Sequence, residues 1–137
     1  MRDLKYGLGI EVAMPPAAAE AAIRASLAEE GFGILTEIDV AATLSDKLGV
    51  ERAPYKILGA CNPALANRAL GVDEHIGLLL PCNVIVYEKG DGTAVEAMEP
   101  ALMGSLTGQD DMEPIAAEAR ERLIRALRRV EGGSASG

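Results

Sequence analysis

Apolar and polar residues alternate along residues 4–12 (LKYGLGIEV), which puts Leu4, Tyr6, Leu8, Ile10 and Val12 on one face of a strand. Gly7 and Gly9 fall on the other face, where a missing side chain allows another group to come close. Pro15 and Pro16 then open a helix over residues 17–30, since proline is tolerated in a first turn. Its apolar stripe is Ala19, Ala22, Ile23 and Leu27, and Gly31 suits the position after its end. Period two returns at Phe32, Ile34, Thr36 and Ile38. Asp39 can cap a short helix over residues 40–48, which Gly49 stops. Residues 55–60 (YKILGA) form a third strand. Asn62 and Pro63 suit the cap and first turn of a helix over residues 63–70, ended by Gly71. Residues 76–80 are an apolar run that periodicity alone does not assign. The β-branched run 82–88 joins strand 93–98 through Lys89-Gly90-Asp91-Gly92, a hairpin signal.

A last helix is predicted over about residues 111–130, with Ile115, Ala119, Leu123, Leu127 and Val130 as its buried stripe. Glu118–Arg122 and Glu121–Arg125 stand at i, i+4 in the favourable order, and Arg128 and Arg129 suit the negative end of the helix dipole. The order is strand, helix, strand, short helix, strand, helix, strand, strand, helix. Helices mixed with a tight hairpin favour an α+β fold over a purely parallel sheet. Residues 1–131 read as one domain, and residues 132–137 (GGSASG) read as a disordered tail with nothing to bury.

Composition narrows the function classes. At 137 residues the chain suits one domain that needs no disulfide or metal staple. Its net charge of −8 argues against nucleic acid and anionic membrane, whose phosphates require a basic footprint. Residues 1–117 carry −10 and residues 118–131 carry +2, so the basic stretch is a helix face and not a tail. Apolar runs are too short to span a membrane, and no secretory signal is visible. Tyr6, Phe32, Tyr55 and Tyr87 are the aromatic residues, too few for a platform that stacks bases or sugars. Two cysteines make no disulfide framework and point to reduced thiols in a cytoplasmic protein.

The cysteines are the main candidates for chemistry. Cys61 lies where a strand ends and a helix begins, and unpaired N–H groups with the helix dipole favour thiolate there. Gly59 and Ala60 leave space beside it. Cys82 starts a strand 21 residues on, and both cysteines precede an asparagine, Asn62 and Asn83. If the two strands are antiparallel neighbours, the Cys-Asn pairs meet at one end of the sheet. His75 would add a third ligand, giving a set that resembles a catalytic zinc site. Against this stand the bland alternatives: free cysteine is usually a small buried apolar residue, and the spacing is not C-x-x-C. Lys47, Arg52 and Lys56 surround the third strand and could meet a small anion or simply solvate its edge. Neither a G-x-S-x-G elbow, a phosphate loop nor a dinucleotide loop is present.

Several segments together carry a family resemblance: EGFGILTEIDV at 30–40, KLG at 47–49, YKILGACNP at 55–63 and IGLLLPCNV at 76–84. With Tyr6-Gly7-Leu8 and Met98-Glu99-Pro100, they resemble the DUF302 family of uncharacterised domains, over about residues 4–130. The resemblance implies a two-layer α+β fold like that of the TATA-binding protein, an antiparallel sheet with helices packed on one face. It also implies homodimers and brings no established reaction. The DNA-binding role of the fold's namesake does not follow from its shape.

Two functions remain. In the first, Cys61, Asn62, Cys82, Asn83, Tyr55 and Lys56 serve a thiol-containing binding or redox module, with both cysteines lining one pocket at the sheet end and a small molecule or metal as ligand. In the second, the chain is a non-catalytic homodimeric interaction protein whose cysteines are packing residues. A hydrolytic enzyme would need a general base that no segment offers.

Overall fold

The computed structural model describes residues 1–136, with side chains through residue 133. Six strands form one fully antiparallel sheet: β1 (Arg2–Asp3), β2 (Gly7–Val12), β3 (Gly33–Asp39), β4 (Tyr55–Cys61), β5 (Cys82–Lys89) and β6 (Gly92–Met98). Their spatial order is β1-β2-β6-β5-β4-β3. The helices are α1 (Pro16–Glu29), α2 (Val40–Leu48), α3 (Pro63–Val72), α4 (Ala101–Thr107) and α5 (Glu113–Ser136), with short 3-10 helices at Glu74–Leu79 and Asp110–Met112. This is the expected α+β class, an antiparallel sheet with helices packed against it.

The pleat sorts the strand residues into two faces. Leu8, Ile10, Val12, Leu58, Ala60, Val84, Val86, Val95 and Ala97 are buried against Ile23 and Leu27 of α1 and Leu123, Leu127 and Val130 of α5. A second apolar cluster lies around the first half of α5, where Ile115, Ala116 and Ala119 meet Leu65, Ala69, Ile76, Met103 and Met112. Every apolar position assigned to the last helix from periodicity is buried. The opposite face of the sheet, with Tyr55, Ile57, Ile85, Tyr87, Glu96 and Met98, is only partly shielded.

Local signals fix most element ends. Asp39 accepts a hydrogen bond from Ala42 N at 2.9 Å, and Gly49 closes α2 in the left-handed conformation at φ 66°. Gly31 turns the chain after α1 at φ 85°, and Gly90 opens the β5–β6 turn at φ 58°. Other expectations change. The alternation from Leu4 onward is not one strand: Leu4 N donates to Gly7 O at 2.8 Å, and β1 folds back on Gly9 and Leu8. Tyr6 consequently stands out in solvent, at 72% exposure. The approach over Gly7 and Gly9 comes from within the chain, because the Leu4 side chain lies against both and the Glu96 side chain lies over Gly9. Gly71 does not stop α3, which ends one residue later, and Asp73 then caps the 3-10 helix by accepting from His75 N. α4 is a helix that the sequence pattern did not mark. Helical backbone continues through residues 132–136, where disorder was expected, and Gly137 lies outside the described residues.

The arginines of α5 also find other partners. Glu118–Arg122 forms at 3.1 Å as expected. Arg125 goes to Glu30 at 3.0 Å and not to Glu121, and Arg129 reaches Glu30 at 2.7 Å. Glu30 is buried at the end of α1, so these contacts clamp α1 to α5. Hydrogen bonds from Arg129 and Arg125 hold its carboxyl below the ordinary value, against the opposing effect of burial.

Candidate functional site

β4 and β5 are antiparallel neighbours, as the meeting of the two Cys-Asn pairs requires. The register sets Cys82 opposite Ala60, so Cys61 ends β4 one residue beyond that pair. Both cysteines line one cavity, with Phe32, Leu65, Met103 and Ile115 among its walls. That cavity encloses about 20 Å³. A single water needs roughly 10–15 Å³ and two or more polar partners, and these walls are mostly apolar. Cys82 is 5% exposed, and burial, with a smaller contribution from nearby Cys61, pushes its thiol up to about 11. The shift disfavours thiolate, the nucleophilic form, at this position. Cys61 is half-buried.

The space beside Cys61 is already taken. A side chain on Gly59 would meet the Thr36 hydroxyl and the Pro81 ring, so this glycine fits strand to strand and leaves no room for a substrate. Asn62 has a structural task on both sides of its amide. Its Oδ1 accepts from Leu65 N at 3.2 Å and caps α3, while its Nδ2 donates to Glu30 O at 3.3 Å. The zinc expectation is corrected. His75 is exposed on its 3-10 helix, and no three His, Cys, Asp or Glu side chains among the described residues converge to hold a metal ion.

The remaining candidates lie elsewhere. Lys56 is on the helix-covered side of β4, bonded to Glu37 at 2.7 Å and Glu20 at 3.0 Å, and these partners raise its basicity. Arg24 joins Glu20 and Glu37 in the same network, which staples α1 to β3 and β4. Lys47 lies in the last turn of α2. Arg52 sits 5.0 Å over the Tyr55 ring.

Tyr55 and Asn83 belong instead to a groove on the uncovered face of the sheet. Its volume is about 730 Å³, within the range of roughly 300–1,000 Å³ typical of small-molecule sites. Tyr55 and Tyr87, cross-strand partners, stack with centroids 5.3 Å apart and planes 18° apart. The Tyr87 hydroxyl donates to Glu96 at 2.8 Å. Desolvation first, and then this carboxylate, push the phenol up to about 12. Ile85 and Met98 extend the apolar floor, and Arg2, Lys5 and Lys89 stand around it. Sequence reasoning missed Lys5, Tyr87 and Glu96 as site residues. Alternation gives each residue's side of its own strand, but only the sheet order and register bring these strands together.

The fold and groove define a class: an α+β domain with one face of a six-stranded antiparallel sheet covered by helices and the other carrying an amphipathic groove. Residues 8–130 match the domain of unknown function DUF302, and the chain belongs to that family. The chain is similar to an uncharacterized conserved DUF302 protein from Bacillus stearothermophilus, whose crystal structure aligns with a TM-score of 0.86 and 28% identity. That alignment covers 93% of this chain and 99% of the other. No curated protein matches the chain. Among the described residues, no helix is long and apolar enough to cross a membrane.

Proposed function

We propose that this chain is a non-catalytic binding module that works through the uncovered face of its sheet, with Cys61 and Cys82 as packing residues. The observation that carries this reading is the contrast in room: about 730 Å³ over the Tyr55–Tyr87 face against about 20 Å³ between the cysteines. Burial of Cys82, which raises its thiol, supports it further, since a thiol site needs an accessible thiolate. Two unpaired cysteines fit a reducing, cytoplasmic setting. The test is alkylation of each cysteine by iodoacetamide at neutral pH, followed by site-resolved mass spectrometry. Cys82 is expected to react only when the protein unfolds, and the Cys61→Ala/Cys82→Ala variant is expected to keep its fold. Native Cys82 that reacts as fast as an unfolded thiol overturns the assignment and returns the function to the thiol pair.

A separate observation favours a homodimer. β3 is a sheet edge seven residues long, with Leu35 67% and Ile38 49% exposed. An edge with unpaired backbone groups and apolar side chains is a template for a second strand. The β3 edge lies across the sheet from β1, so pairing there leaves the groove beside β1 and β2 free. Light scattering should give twice the 14.3 kDa chain mass, and Ile38→Lys should give the monomer. A monomeric wild type, or a dimer unaffected by Ile38→Lys, rejects this interface.

A further inference from the structure

We infer that the groove selects small organic anions, specifically aromatic carboxylates, over neutral or cationic molecules of the same shape. This inference rests on the binding reading and adds a ligand class to it. The chain carries −8, yet its groove is lined by three cations, Arg2, Lys5 and Lys89, and one carboxylate, Glu96. Glu11 neutralises part of this charge, at 3.4 Å from Arg2 and 2.8 Å from Lys89. Including Glu11, the local sum is still +1. The cation left over is Lys5, exposed in the β1–β2 turn and without a carboxylate partner among the described residues.

The apolar part of the site has a shape of its own. Tyr87 and Ile85 offer a half-buried apolar surface, and stacking on Tyr55 holds the planar Tyr87 ring in place. A planar apolar body gains most on such a surface, through offset stacking and burial. The hydroxyl of Tyr87 is engaged by Glu96, so that carboxylate is partly satisfied within the protein. The exposed amide of Asn83 supplies a polar contact within the same groove. A carboxylate facing Lys5 and a ring against Tyr87 and Ile85 satisfy both halves at once. Many side chains in the protein repel an anion. Local complementarity therefore confers selectivity more than tight binding.

The experiment compares three probes that share one ring system: 2-naphthoate, 2-naphthylmethanol and 2-naphthylmethylammonium. Each is titrated into the full chain while backbone amide shifts are followed by NMR. Naphthoate is expected to shift amides around Lys5, Asn83 and Tyr87, with the ammonium probe about tenfold weaker, as one screened charge contact implies. Lys5→Glu should remove the preference and Lys5→Arg should keep it. Equal binding of all three probes at the groove overturns the anion selectivity and leaves the binding module standing. No shifts at the groove with any probe, or shifts confined to another surface, overturn both.

Discussion

Gly59 shows how much one residue is constrained by its neighbours. Its backbone is ordinary for a strand, so any amino acid could adopt it. Space is what excludes a side chain, because the Thr36 hydroxyl and the Pro81 ring fill the place of a Cβ. Gly59→Ala is expected to destabilise the fold by about 1–3 kcal/mol through overpacking. Urea unfolding measures this, and Thr36→Ala in the same chain should recover part of the loss, a coupling that independent sites would not show. The sequence displayed Gly59 beside Cys61 and invited the idea of a vacant site. The register of β3 on β4, shifted by an irregularity between Ile34 and Thr36, decided otherwise. Cys61 and Cys82 are similar in this respect. Their local context was legible, but the burial that pushes the Cys82 thiol up depends on residues far away in sequence, among them Met103 and Ile115.

At the scale of elements, the junction of α1, α3 and α5 holds the domain's second layer together. Asn62 caps α3 and also binds the end of α1 through Glu30 O, which Arg122 of α5 contacts at 3.0 Å as well. Asn62→Ala should cost about 1–2 kcal/mol in thermal or urea unfolding, and Asn62→Asp should restore the capping part but not the amide donation to Glu30 O. The Glu30 carboxylate is the other half of the clamp. Its folded value is lowered from the ordinary 4.5, so its stabilisation is complete above that value and is lost as pH falls through the lower folded one. Glu30→Gln should destabilise the protein by about 1–3 kcal/mol at pH 7, somewhat less in high salt because Arg125 and Arg129 are solvent-exposed. It should also flatten the acid limb of a stability–pH curve. Helix caps and stripes were legible because they depend on neighbours within four residues. The choice of Arg125 for Glu30 over Glu121 was not, since helix packing brings Glu30 to it from 95 residues away.

For the whole molecule, the buried thiol leaves a mark at alkaline pH. Folded Cys82 keeps its proton to about 11, while its ordinary value is 9.0. Between these values the native state binds more protons than the unfolded state, so stability falls as pH rises. The loss attributable to Cys82 should approach about 2–3 kcal/mol by the upper end of the window. Chemical unfolding of the wild type and Cys82→Ala across this range isolates it, because Tyr87, also raised, contributes to both proteins. Equal alkaline slopes in the two would show that Cys82 is accessible to solvent in the folded chain.

The sequence by itself determined the class of fold, the α1 and α5 core stripes, both caps of α2, the N-cap of α3, and the β5–β6 hairpin. Each is encoded by the period of a helix or strand or by a residue suited to a turn, and so needs only local information. Tertiary structure decided the sheet order β1-β2-β6-β5-β4-β3, and with it every partnership across the groove. Lys5, Tyr55 and the Asn83–Tyr87 face of β5 lie on three separate stretches of chain, and no local pattern specifies that the three share one surface. The same long-range packing buried Cys82 and filled the space at Gly59. Burial and charge depend on what surrounds a residue in three dimensions, which is why the cysteines stood out in the sequence and the groove did not.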